Sequence, residues 1–155
     1  MNRTMKMPDA VPVVLIVDDA RLNVEMLNQI LSSEYRTVRA YDGRQALDLA
    51  LVHRPDVILL DVVMPGLDGY QVCSILKSDS RTRDIPVIFV TGMDDDDAEE
   101  KALAAGAAGY LTKPFRPAMV LSQVHIHLEL RRAKKLLATY GDEDTESAAG
   151  PLHCA

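Results

Sequence analysis

The chain has 155 residues, 48% hydrophobic and 26% charged, with a net charge of −6 at pH 7. That length suits one domain with short extensions; no apolar run could span a bilayer, and the N-terminus to Pro12 lacks the apolar core of a secretion signal. The acid excess argues against a general nucleic-acid binder, and the far-apart Cys73 and Cys154 argue against a disulfide framework and for the cytoplasm.

Residues 1–11 read as a flexible N-terminus. The apolar run Val13 to Val17 predicts a strand near 13–18 that ends in Asp18 and Asp19, and a helix follows over 20–32. A strand near 35–40 leads to Asp42-Gly43, a turn and cap before a helix over 43–53. The run Asp56-Val57-Ile58-Leu59-Leu60 is apolar without alternation after its first residue, which is the pattern of a strand buried on both faces. It ends in Asp61, after which Pro65-Gly66 forces a turn. Asp68-Gly69 opens a helix over 68–78, with Cys73 as a small core residue. A strand near 86–91 ends in Thr91-Gly92. The acid run Asp94 to Asp97, with Glu99 and Glu100, is expected to cap a helix over 95–105 and complement its dipole, with partner recognition as the alternative. A strand near 108–112 delivers Lys113-Pro114, and a long helix covers 115–138. Five strand–helix units imply a parallel, doubly wound α/β sheet covered on both faces. The segment 141–155 reads as a disordered acidic and polar tail. It favours a natural ending over truncation.

Four strands thus carry three acids, a hydroxyl and an ammonium to one sheet edge, where ligands bind in open α/β folds. Singly, each has a plain explanation: Asp18 or Asp19 as a helix cap, Thr91 as a turn residue, Lys113 as a solvated lysine. Jointly they suit phosphoryl chemistry. Crowded carboxylates repel unless compensated, and Mg²⁺ favours a few carboxylates, waters and a phosphate. Lys113 supplies a point charge for phosphate. The Thr91 hydroxyl can donate, and Gly92 lets a backbone N–H come close. Asp61 is the candidate to carry a phosphoryl group as an aspartyl phosphate.

The pair Asp18-Asp19, the segment Asp61-Val62-Val63-Met64-Pro65-Gly66-Leu67-Asp68-Gly69, the pair Thr91-Gly92 and Tyr110-Leu111-Thr112-Lys113-Pro114 resemble the receiver domain of two-component response regulators. Their order and spacing agree with that family over roughly residues 12–130. The resemblance implies a flavodoxin-like sheet of order 2-1-3-4-5. It implies that Asp61 takes a phosphoryl group from a sensor histidine kinase or phosphotransfer protein. It further implies that Asp19 and Asp61 ligate Mg²⁺, with Asp18 acting through water and the Val63 carbonyl completing the set. Thr91 and Lys113 would contact phosphoryl oxygens, Thr91 and Tyr110 would act as the switch, and Pro114 would follow a cis peptide bond. Val63 and Met93 are apolar where they would flank the phosphoryl group, so a long-lived phosphoryl state is expected.

The last helix is longer than the sheet needs. Val120, Leu121, Val124 and Leu128 form a stripe for packing on the sheet. Ile126, Leu130, Ala133, Leu137 and Tyr140 follow 4-3-4-3 spacing, the seam of a coiled coil, which predicts a homodimer through a helical extension over 131–140. Packing of this end on its own domain is the alternative. The stretch also resembles the junction helix of regulators with cyclic-dinucleotide output domains. Two other function classes compete: a Mg²⁺-dependent phosphatase or phosphotransferase with Asp61 as nucleophile, and a receiver that serves only in dimerisation. Val63 at the position of a general acid disfavours the former, and the intact acid cluster disfavours the latter.

Overall fold

The computed structural model describes residues 10–92 and 97–147, with backbone alone for 140–147. Its elements alternate: β1 (Val13–Val17), α1 (Arg21–Leu31), β2 (Arg36–Ala40), α2 (Gly43–His53), β3 (Val57–Asp61), α3 (Gly69–Ser78), β4 (Val87–Thr91), α4 (Ala98–Ala104), β5 (Gly109–Thr112) and α5 (Pro117–Ser147). All four strand pairs are parallel, and the sheet order is β2-β1-β3-β4-β5. This is the flavodoxin-like order that the resemblance implies.

Side chains that alternate along the strands make two cores. Leu15, Val17, Ile58, Leu60, Val87 and Phe89 face Ala46 and Ala50 of α2 and Val72, Cys73 and Leu76 of α3. Val14, Ile16, Val57, Leu59, Ile88 and Val90 face Val24, Leu27 and Leu31 of α1 and Val120, Val124 and Leu128 of α5. The central strands β3 and β4 are buried throughout, which is why they read as unbroken apolar runs. Cys73 is buried, as its pattern predicts.

Helix starts follow the capping residues. The Asp42 side chain accepts from the Gln45 backbone N–H at 2.7 Å. Asp68 and Gln71 form a reciprocal capping box, which satisfies two free N–H groups of α3. The fourth helix differs from expectation. It covers only Ala98–Ala104, and Asp97 caps it by position without a side-chain capping bond. Its ψ of 10° is not the extended backbone that aims a cap at the first turn. Glu99 and Glu100 do stand in that turn, where the dipole favours acids. Met93, Asp94, Asp95 and Asp96 lie outside the described residues.

The largest departure is at the other end. Helix α5 runs on to Ser147, beyond the predicted limit at 138 and into the segment expected to be disordered. Gly141 interrupts the pattern at a cost of only about 1 kcal/mol. Proline, the true stop, does not come until Pro151. Residues 148–155 of that expected tail, and 1–9 of the expected flexible N-terminus, lie outside the described residues. Among the described residues, no helix is long and apolar enough to cross a membrane.

Candidate functional site

The parallel topology aligns the carboxyl ends of β1, β3, β4 and β5 at one edge. Asp61 is the last residue of β3 and pairs in register with Val90 of β4. Asp18 directly follows β1, and its N–H is held by the Ala40 carbonyl at 3.2 Å. One carboxylate oxygen from each of Asp18, Asp19 and Asp61 lies within 4.8 Å of the others. Asp18 and Asp61 are buried, and Asp19 is exposed. The cluster is therefore open on the Asp19 side and closed by the sheet on the other.

Lys113 reaches back across the edge from the loop after β5. Its ammonium lies 3.3 Å from Asp61 Oδ1 and 3.5 Å from Asp18 Oδ2. The Lys113 backbone N–H donates to the Thr91 carbonyl at 2.9 Å, which fixes where the side chain starts. The Lys113-Pro114 peptide is cis, as the resemblance implies. One cation does not balance three acids. Burial, followed by the charge of Asp18, pushes the Asp61 carboxyl from 3.8 up to about 6, against the opposing pull of Lys113.

Thr91 ends β4 and is buried. Among the described residues its hydroxyl makes a long 3.4 Å contact to the Gly92 carbonyl. Tyr110 is half-buried and packs against the core that holds Phe89 and Ala107. Val63 is 76% exposed at the rim, consistent with a position beside an incoming group. The structure brings Asp18, Asp19, Asp61 and Lys113 together as read from the sequence, and Thr91 joins them as the last residue of the neighbouring strand.

Two supports were not foreseen. Asn23 Nδ2 donates to Asp18 Oδ2 at 3.1 Å, and the Ala20 N–H donates to Asp18 Oδ1 at 2.9 Å. Asp18 is thus both a site acid and an acceptor for the start of α1. The five-residue spacing from Asp18 to Asn23 carries no recognisable motif. Gly69 is the second. A Cβ there would lie 2.3 Å from the Asp61 carbonyl oxygen and 2.8 Å from the Val62 Cα. With the Gly69 N–H bonded to the Val62 carbonyl at 2.8 Å, α3 is clamped directly behind the site. Gly66, at φ 76°, makes the left-handed turn before it.

The three acids fit a hard divalent cation. All three donors are carboxylate oxygens and they converge within 4.8 Å; burial first, and the Asp18 charge next, raise the Asp61 carboxyl despite the opposing pull of Lys113. Oxygen-only sets with one open side suit Mg²⁺, which keeps several waters.

This fold and edge define a receiver-type signalling module. The response regulator receiver domain family matches residues 14–125, and the chain belongs to that family. It is 45% identical over 112 residues to response regulator PleD of Caulobacter vibrioides, covering 72% of this chain and 25% of that protein. It is 37% identical over 129 residues to a Vibrio cholerae protein described as a "Probable cyclic di-GMP phosphodiesterase", covering 83% of this chain and 29% of that protein. The chain thus spans less than a third of either relative. Among solved structures, chemotaxis protein CheY4 of Vibrio cholerae superposes with a TM-score of 0.71 at 32% identity, over 75% of this chain and 98% of CheY4.

Proposed function

We propose that Asp61 accepts a phosphoryl group from a phosphohistidine on a sensor histidine kinase or phosphotransfer protein. An Asp61 carboxylate oxygen bonds to phosphorus as the P–N bond breaks, and the departing imidazole takes a proton from solvent. The observation that carries this reading is a buried carboxylate at a strand end, with an ammonium 3.3 Å away and two further acids beside it. Asp18, Asp19, Asp61 and the Val63 carbonyl would hold Mg²⁺. When bound, that ion offsets charge on the phosphoryl oxygens. Lys113 would exchange its Asp61 contact for a phosphoryl oxygen, and the Thr91 hydroxyl would donate to another. Gly92 leaves its N–H approachable.

As Thr91 turns inward, Tyr110 follows into the vacated space. Contacts made in one state only then bias a two-state equilibrium. The surface that responds comprises α4, β5 and the start of α5, where partners read the state. The helical seam of Ile126, Leu130, Ala133 and Leu137, exposed in a single chain, with Tyr140 next in the series, pairs two copies of the receiver.

Acetyl phosphate with Mg²⁺ should add one phosphoryl mass to the wild type and none to Asp61→Asn. Equal labelling of both sinks the assignment. Removing Asp19 relieves repulsion yet deletes a ligand, so Mg²⁺ affinity should fall about ten-fold or more in Asp19→Asn. Unchanged affinity in a metal titration places the ion elsewhere. Hydrogen exchange should change over residues 91–115 on phosphorylation.

A second reading concerns the pathway. The name of the Vibrio cholerae relative and the resemblance of the last helix to a junction helix both favour a receiver that serves cyclic di-GMP signalling. The small-molecule phosphatase reading gains nothing, since Val63 offers no proton donor at the rim.

A further inference from the structure

The opposite edge of the sheet carries the reverse charge. There, at the amino ends of β4 and β5, a cleft of about 570 Å³ opens between α5 and the segments that lead into those strands. Lys77, Arg83, Arg131, Lys134 and Lys135 line it, with His127 beside them and Asp84 as the acid. Five of the chain's 17 Lys and Arg residues thus converge on one cleft of a protein whose net charge is −6.

These cations are positioned but not neutralised. The residues three and four places either side of Lys134 and Lys135 are Leu130, Arg131, Arg132, Leu137, Ala138 and Thr139, none of them acidic, so the helix itself offers no ion pair. Among the described residues Arg83, Lys134 and Lys135 make no ion pair elsewhere either. Arg131 is latched at the wall, where its guanidinium donates to the Pro55 carbonyl at 3.1 Å and lies 3.4 Å from Asp56 Oδ1. Lys77 donates to the Arg83 and Ile85 carbonyls at 3.0 and 2.8 Å, which leaves one of its three N–H donors over. Burial chiefly lowers the Lys77 pKa, and the charges of Lys134 and Arg131 add to it against the pull of Cys73 and Asp84. His127 is lowered by burial and then by Lys134. The two walls therefore repel each other across the cleft.

We propose that this cleft binds a small phosphate-rich anion of nucleotide size. An anion between the walls turns their repulsion into attraction on both sides. Lys134 and Lys135 from α5, and Arg83 with the remaining Lys77 donor from the facing side, hold the phosphates. Pro86, Ala107 and Ala108 give an apolar surface for the rest of the ligand, and the volume falls in the range of small-molecule sites, roughly 300–1,000 Å³. A concave site admits a small ligand where a duplex or a bilayer cannot enter. The chain's negative charge also disfavours long polyanions, which extend past the cleft. The predicted helical seam meets the cleft at Leu130 alone, since Ile126, Ala133 and Leu137 do not line it. The site is separate from the acid edge, at the other end of the strands.

ATP is the probe, titrated into the full chain by calorimetry in metal-free buffer, where the acid edge repels it. At low salt, with surface charge little screened, one ATP per chain should bind with a Kd below about 100 µM. Lys134→Glu should weaken binding about ten-fold or more. Arg132→Glu makes the same charge change on the same helix but outside the cleft, and should weaken it less than about three-fold. Both positions are exposed, so the far-UV circular dichroism of each variant should match the wild type. Equal losses at positions 132 and 134 would reduce the effect to net charge and overturn the site. No binding of ATP up to about 1 mM would overturn it as well. A single-stranded oligonucleotide bound about ten-fold more tightly than ATP would overturn it in favour of an extended nucleic-acid surface.

Discussion

At the carboxyl edge of the sheet, Asp18 and Asp61 are 1% and 3% exposed, whereas Leu130 and Leu137 on the distal arm of α5 are 51% and 68% exposed. The contrast reverses the usual placement of charged and apolar side chains. Acids are buried where a strand end, an ammonium and backbone N–H groups over-determine their positions. Apolar groups lie in water where the helix has outrun its own domain. Each departure from the ordinary rule marks a place where something else is expected to bind: a metal and a phosphoryl group at the edge, a second chain along the arm. One region is rigid and its ligand small. The other is a single helix, for which the proposed partner is a second copy of the chain.

The comparison breaks first at Gly69. A Cβ there collides with the backbone of Asp61 and Val62, and the carbonyl it strikes cannot move without moving the site. Gly69→Ala should cost about 3 kcal/mol or more in denaturant unfolding and should also lower phosphorylation. A loss of stability without loss of labelling would show that the clamp and the site are separable. Leu128 marks the last buried point of α5, and Leu128→Ala should cost about 2 kcal/mol. The same change at Leu137, about two and a half turns on and exposed, should cost under about 0.5 kcal/mol of single-chain stability. Equal costs at the two positions would mean that the arm packs on its own domain, as the alternative sequence reading had it.

The buried acids give a pH signature of intermediate size. The folded Asp61 carboxyl, at about 6, holds its proton more tightly than the unfolded chain at 3.8. Stability of the metal-free protein therefore falls as pH rises from about 4 to about 6 and stays reduced above that. Asp61→Asn should raise stability at pH 7 by on the order of 1–2 kcal/mol, and the gain should vanish near pH 4. Saturating Mg²⁺ should shrink the difference, because the ion supplies the missing positive charge. A constant gain from pH 4 to 8 would assign the effect to packing instead.

Much of this was legible in the sequence, for a physical reason. Strands buried on both faces must be apolar throughout, so Asp61 stood out because it ended such a run. The parallel, doubly wound sheet followed from βαβ connectivity, the strand order came only with the family resemblance, and the converging acids followed from their places at strand ends. What stayed hidden depends on distances between segments. Asn23 under Asp18, the contact of Gly69 with the Asp61 backbone, and the latch from Arg131 to Asp56 have no periodic or motif signal. The end of α5 was misjudged because acidity and Gly141 were weighed above the absence of proline before Pro151. Of the predicted seam, Ile126, Leu130 and Leu137 are exposed.

The central claim is that Asp61 alone carries the phosphoryl group. Borohydride reduction after acetyl phosphate and Mg²⁺ treatment converts an aspartyl phosphate to homoserine, and peptide mass mapping then locates it. The account predicts homoserine at position 61, with Asp18 and Asp19 unmodified. Homoserine at either of those acids, or none in protein that has gained a phosphoryl mass, would contradict it.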